Sequence, residues 1–180
     1  GSYTALSTAF ASTQITGLDA AAVTLTGGAT VAQINALAQE TTGVISATAS
    51  QGDMTTLAGL TEASNAISLS VTDASVDATA LNALNAKTTG VITLTGTTLT
   101  GTVSAIETAF AANTAGTLSG LTNINVTADG SITMAEANDL IALNGTGIVT
   151  ATITEQDLTA LVADNTGINS GGDNAVDHVI

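Results

Sequence analysis

The sequence predicts an α/β repeat fold: a right-handed solenoid of helix–strand units, leucine-rich-repeat-like, with one parallel sheet and helices on one face of it. Three observations point there. Segments 34–43 (INALAQETTG), 81–90 (LNALNAKTTG) and 137–147 (ANDLIALNGTG) align, and each runs into a β-branched stretch, VISATAS, VITLTGT and IVTATIT. A second kind of unit alternates with the first, since ALSTAFAS from Ala5 matches AIETAFAA from Ala105, and SQGDMTTL from Ser50 matches TEQDLTAL from Thr154. The supercycle is about a hundred residues and holds four units averaging about 25, the range of leucine-rich-type repeats. Residues 1–180 therefore read as one solenoid domain of about seven helix–strand units, none of which can bury its apolar face alone.

Along the chain, a strand is expected at 22–26, followed by a helix whose apolar residues Val31, Ile34, Leu37 and Ala38 fall at three- and four-residue steps. Thr30 with Gln33 forms a capping-box pair at its start, each side chain taking an amide left unpaired by the first turn, and Gly43 marks its exit. Strands follow at 44–48 and 66–71. A further helix carries Val76, Ala80, Leu81 and Leu84 and exits at Gly90, before a strand at 91–95. After a strand at 123–127, Thr133 with Glu136 opens another helix, which exits at Gly147. Strands at 148–153 and 174–179 complete the set of seven. Because a helix separates each strand from the next, the strands are expected to be parallel with right-handed crossovers.

Composition bounds the core and the partners. Hydrophobic residues make up 44%, but there are only one Tyr, two Phe and no Trp, so Ala, Val, Ile and Leu must fill the interior. Proline and cysteine are absent, so turns fall to Gly, Asn, Asp and Thr, and neither disulfides nor thiolate metal sites form. Fifteen carboxylates face the single Lys87, for a net charge of −14. That excludes nucleic acid as a partner and suits a salty or calcium-rich medium that screens self-repulsion. No apolar run is long enough to span a membrane, and no signal peptide is visible, so no membrane insertion is expected. Gly1 and Ser2 read as a cloning remnant, which makes the chain a piece of a longer protein.

Two sets of residues are candidate sites. The outward face of the strands alternates hydroxyls, with Thr24 and Thr26, Ser46 and Thr48, Ser68 and Ser70, Thr93 and Thr95, Asn125 and Thr127, and Thr150 and Thr152. Threonines stacked at strand spacing can engage glycan hydroxyls or ordered water; equally, hydroxyls solvate an exposed parallel sheet. The candidate binding face is Thr24, Thr26, Thr48, Thr93, Thr95, Thr150 and Thr152.

The second set is a calcium loop. Asn125, Thr127, Asp129, Gly130, Ser131, Thr133 and Glu136 occupy positions 1, 3, 5, 6, 7, 9 and 12 of an EF-hand-type loop, with Asn125, Thr127, Asp129, Ser131 and Glu136 as the candidate ligands. A turn at Asp129 and a capping box at Thr133 and Glu136 account for the same letters without a metal. The GGDN stretch at 171–174 lacks the full nonapeptide calcium repeat. Asp73 and Asp77 read either as a cation pair or as carboxylates favoured at a helix N-terminus.

Catalysis finds little support. One His, no Cys, no Arg and one Lys leave no nucleophile–base motif and no phosphate loop, and His178 beside Asp177 reads as an exposed strand residue. A glycosidase cleft would carry aromatics to stack sugars, which the chain lacks. No cofactor is expected other than calcium.

The repeated letters xNALxxxTTGVIxxTxS and SVTDASVDATALNAL resemble the Ala/Thr/Gly-rich repeats of giant secreted cell-surface proteins of marine bacteria and cyanobacteria, of the adhesin and swimming-associated type. The resemblance covers nearly the whole chain. It implies an extracellular, surface-associated structural role, with neighbouring repeats of the parent protein as the first partners. A spacer module follows as the main expectation. The alternative is a binding module whose hydroxyl face takes glycan, ice or another copy.

Overall fold

The computed structural model describes residues 1–61, 63–153 and the backbone of a strand at 176–178. In chain order the elements are α1 (Tyr3–Phe10), β1 (Val23–Ala29), α2 (Val31–Ala38), β2 (Ile45–Ala49), α3 (Met54–Leu57), β3 (Ala66–Val71), β4 (Ser75–Asp77) and α4 (Ala78–Asn85). They continue with β5 (Ile92–Leu94), β6 (Thr98–Gly101), α5 (Val103–Ala115), β7 (Leu118–Ser119), β8 (Asn125–Ile132), α6 (Met134–Asn144), β9 (Val149–Ile153) and β10 (Val176–His178). The chain divides into two compact units, one of Gly1–Asp73 and Ala83–Leu94, the other of Ala74–Asn82 and Thr95–Ile180.

In the first unit β1, β2, β3 and β5 lie side by side in that order, every pair parallel. In the second the order is β4, β6, β8, β9 and β10, again all parallel. The class is α/β with parallel strands, as the alternation of helix and strand requires. The expectation of one sheet is corrected to two. Strands β4 and β6, three and four residues long, were not among the expected strands, and Val76 passed for the first apolar residue of a helix when it is the buried centre of β4. Helix α4 starts two residues later, with Ala78, Leu81 and Leu84 buried and Ala80 exposed.

The cores are aliphatic. In the first unit Leu25, Ile45, Ala47, Ile67, Leu69, Ile92 and Leu94 point inward from alternate strand positions, against Ile34 and Leu37 of α2 and Leu57 of α3. In the second, Leu99, Ile124, Val126, Val149 and Ala151 are buried together with Ile106, Phe110, Ala137 and Leu140 of the helices. Of the helix residues that the sequence marks, Val31, Ile34, Leu37, Leu81 and Leu84 are buried, while Ala38 is half-buried and Ala80 exposed.

The starts of α2 and α6 follow the sequence. Thr30 and Gln33 form a reciprocal capping box on α2, as do Thr133 and Glu136 on α6. The exits do not follow it. Helix α2 is capped at Gln39, α4 ends at Asn85 and α6 is capped at Gly145. Gly43, Gly90 and Gly147 lie beyond those ends, where a side chain at each would run into the backbone of Ala21, Ile67 and Ile124 respectively. Close approach of two backbones, not helix termination, is what requires glycine there.

Candidate functional site

The aligned TTG letters build a repeated clasp. Thr41 is 7% exposed and donates its hydroxyl to the Ala21 carbonyl at 2.8 Å, while its hydroxyl oxygen accepts from the Gly43 amide at 3.0 Å. The Thr42 amide meets the Asp19 carbonyl at 2.8 Å. Thr88 repeats the arrangement at 8% exposure, its hydroxyl donating to Ile67 O at 2.7 Å and accepting from Gly90 N at 2.9 Å. The Thr89 amide meets Asn65 O at 2.9 Å. In the third copy the position of the buried threonine is taken by Gly145, and Asn144 is buried instead at 1% exposure; the Thr146 amide donates to Asn123 Oδ1 at 3.0 Å. Sequence reading saw these letters recur but assigned them to helix exits, so Thr41, Thr88, Asn65 and Asn144 were missed as positioning residues. The recurrence of Thr41 and Thr88 three residues ahead of a β-branched run was the available signal; Asn65 and Asn144 carried none.

A second repeated device uses the asparagine of the N-A-L letters. Asn35 donates to Gly59 O at 2.7 Å and accepts from the Thr61 amide at 3.2 Å. Asn82 donates to Ala105 O at 2.9 Å. A third device caps helices from a later segment: Gln51 accepts from the Val31 amide at 2.7 Å, and Asp73 from the Met54 amide at 2.8 Å. Asp77 accepts from Ala80 N at 2.8 Å, at the start of its own helix. Asp73 and Asp77 therefore each serve a helix N-terminus. Lys87 lies past the end of α4, and its ammonium donates to the carbonyl of Ala58, the residue that closes α3, where a cation favours the helix dipole.

The expected hydroxyl face is divided between the two sheets. Thr24, Thr48 and Thr93 lie on exposed positions of the first, with Thr24 opposite Ser46, Thr48 opposite Ser68 and Ser70 opposite Thr93. A bulge between Thr24 and Gly28 sets Gly28 against Thr48, so Thr26 leaves the ladder. Thr95 lies beyond β5 and belongs to the second unit. Thr150 and Thr152 belong to the second sheet, where Asp77, Thr100, Thr127 and Thr150 form one row across four strands and Ser75, Thr98 and Asn125 another. Thr98 and Thr100 had no place in the expected face because β6 was not recognised as a strand.

The calcium-loop residues run through an extended segment. Asn125, Thr127, Asp129 and Ser131 all belong to β8, which bulges between Thr127 and Ser131 with Gly130 at φ 74°. Asn125 Oδ1 accepts from the Ile148 amide at 3.1 Å. Glu136 Oε2 accepts from the Thr133 amide at 2.7 Å and its hydroxyl at 2.9 Å, and these bonds hold the carboxyl below its ordinary pKa. Asp53, the N-cap of α3, is lowered in the same way by Thr56. Among the described residues no three His, Cys, Asp or Glu side chains gather as a metal group. The side chain of His178 and the GGDN stretch lie outside the described residues.

A polar cleft of about 360 Å³ opens beside the first clasp, lined by Ala38, Thr41, Thr42, Gly43, Ser64 and Asn65. It offers hydroxyls, an amide and backbone groups but no ionisable side chain, so it can hydrogen-bond a ligand and not move a proton near neutral pH. No described helix is long and apolar enough to cross a membrane. Comparison with protein-family models, with curated proteins and with solved structures finds no match for this chain.

Proposed function

We propose that the chain is a spacer module, a stack of helix–strand repeats from a large extracellular, adhesin-like surface protein, whose work is to extend and not to catalyse. One observation carries the reading. The side-chain hydrogen bonds that join separated segments bridge one repeat length, from 19 residues for Asp73 on Met54 to 29 for Lys87 on Ala58, with 23 for Asn82 on Ala105 and Asn125 on Ile148. Segments that depend on the segment one repeat away, and not on distant chain, are the signature of quasi-one-dimensional repeat proteins. In such a stack length grows by adding units without redesigning a core. A surplus of carboxylates keeps neighbouring rods apart in solution. Extracellular placement rests on the likeness of the repeats to those of giant surface proteins.

Stretching single molecules between handles on the two ends tests this. A spacer of stacked repeats yields in several small steps, each releasing roughly 80 Å for a unit of about 23 residues at 3.5 Å per residue. One concerted release of roughly 600 Å, the whole chain at once, would sink the repeat reading.

A further inference from the structure

Helices α5 and α6 pack against each other in the second unit and leave a groove of about 390 Å³ between them, lined by Glu107, Phe110, Ala111 and Thr114 on one side and Asp139, Ala142 and Leu143 on the other. Phe110 forms part of the apolar lining at 5% exposure, and Leu143 stands 47% exposed at the edge. In both helices the carboxylate comes one turn before the apolar lining residues, Glu107 before Phe110 and Ala111, Asp139 before Ala142 and Leu143. The groove therefore combines a contiguous apolar lining with two exposed acidic side chains.

From this we infer that the α5–α6 groove docks a basic amphipathic helix of a different protein, its aliphatic side chains on Phe110, Ala142 and Leu143 and its lysines or arginines beside Glu107 and Asp139. Charge decides between this occupant and a second copy. The chain holds fifteen carboxylates and one Lys, and the ammonium of Lys87 is already on the Ala58 carbonyl. A second copy would bring acid to an acidic rim, whereas a basic helix supplies what the rim lacks. An amphipathic helix also matches the shape, since helix-in-groove recognition reads apolar anchors at three- and four-residue steps. This goes beyond extension: it gives the spacer a lateral attachment point.

The test uses a labelled Leu/Lys amphipathic peptide of about 14 residues, close to the length of α5, titrated against the whole chain by fluorescence anisotropy, with a Leu/Glu peptide as control. Saturable binding of the Leu/Lys peptide alone is expected. Leu143→Ala is expected to weaken it about fivefold through lost apolar burial. Glu107→Gln with Asp139→Asn should weaken it by a similar factor, while Asp19→Asn with Glu40→Gln, a pair in the first unit, changes it less than about twofold. On the unaltered chain, amide shifts induced by the peptide should concentrate on α5 and α6, which keeps the proposal exposed if a variant misfolds. Equal weakening by the two carboxylate pairs, shifts spread over the surface, or no effect of Leu143→Ala would reduce binding to bulk charge and overturn it. Dimerisation of the chain itself, abolished by Leu143→Ala, would overturn it in favour of a second copy.

Discussion

Thr88 shows how much one small side chain carries in an aliphatic protein. Its hydroxyl accepts from the Ile67 and Gly90 amides and donates to the Asn65 and Ile67 carbonyls. Thr88→Val keeps the shape and strips the oxygen, leaving the buried Ile67 amide and the half-buried Gly90 amide without it, so urea unfolding should show a loss of about 2–3 kcal/mol. Thr41→Val removes one accepted amide bond and should cost less, about 1–2 kcal/mol. At Gly147 the problem is space: an alanine methyl would collide with the Ile124 carbonyl and the Asn144 amide, and a destabilisation of about 2 kcal/mol or more is expected in the same assay. The identity of these residues was visible in the repeated TTG letters. Their role was not, because a glycine past a helix looks the same in sequence whether it caps the helix or lets a neighbouring backbone pass.

Elements here are finished by their neighbours. Helix α2 has its own capping box, yet its first amide goes to Gln51; α3 has its own N-cap in Asp53, yet its first amide goes to Asp73. Gln51→Ala and Asp73→Ala should each lower stability by about 1 kcal/mol in chemical denaturation, as loss of an N-cap does. Acid tests the local caps. The carboxyls of Asp53 and Glu136 lie below their ordinary pKa in the fold, so their contribution is present above the unfolded value of about 4 and is lost as pH falls through the lower folded value. Glu136→Gln should therefore reduce stability at pH 7 and make no difference at pH 2, read as wild type minus variant so that relief of the overall negative charge cancels. The capping boxes were legible from their spacing, and β1, β2, β3, β8 and β9 because five or more residues show a period; β5 and β10, three residues each, were legible only from the β-branched letters around them. Strands β4, β6 and β7, two to four residues each, carry no period, and the assignment of strands to two sheets depends on where those short pieces pair.

For the whole molecule, charge sets the response to ions. With a net charge of −14, self-repulsion falls as the screening length drops from about 30 Å at 0.01 M to about 10 Å at 0.1 M, and the melting temperature should rise with salt. Calcium and magnesium at about 5 mM, the range of weak extracellular sites, should raise it alike, because Asn125 and Glu136 already hold backbone amides. A rise peculiar to calcium and lost in Glu136→Gln would instead place a metal on β8. Fold class was legible because a parallel sheet follows from alternating strand and helix. The hydroxyl face was legible only in part, since rows depend on register and on the bulges in β1 and β8. The borrowed caps also impose a schedule on the growing polypeptide. Helix α2 waits for Gln51, 20 residues downstream of Val31, and α3 waits for Asp73, 19 downstream of Met54. At a synthesis rate of about 5–20 residues per second, these two helices leave the ribosome with the first amide unpaired and are closed roughly one to four seconds later by the arrival of Gln51 and Asp73, so this part of the nascent chain matures with a fixed lag behind its own emergence.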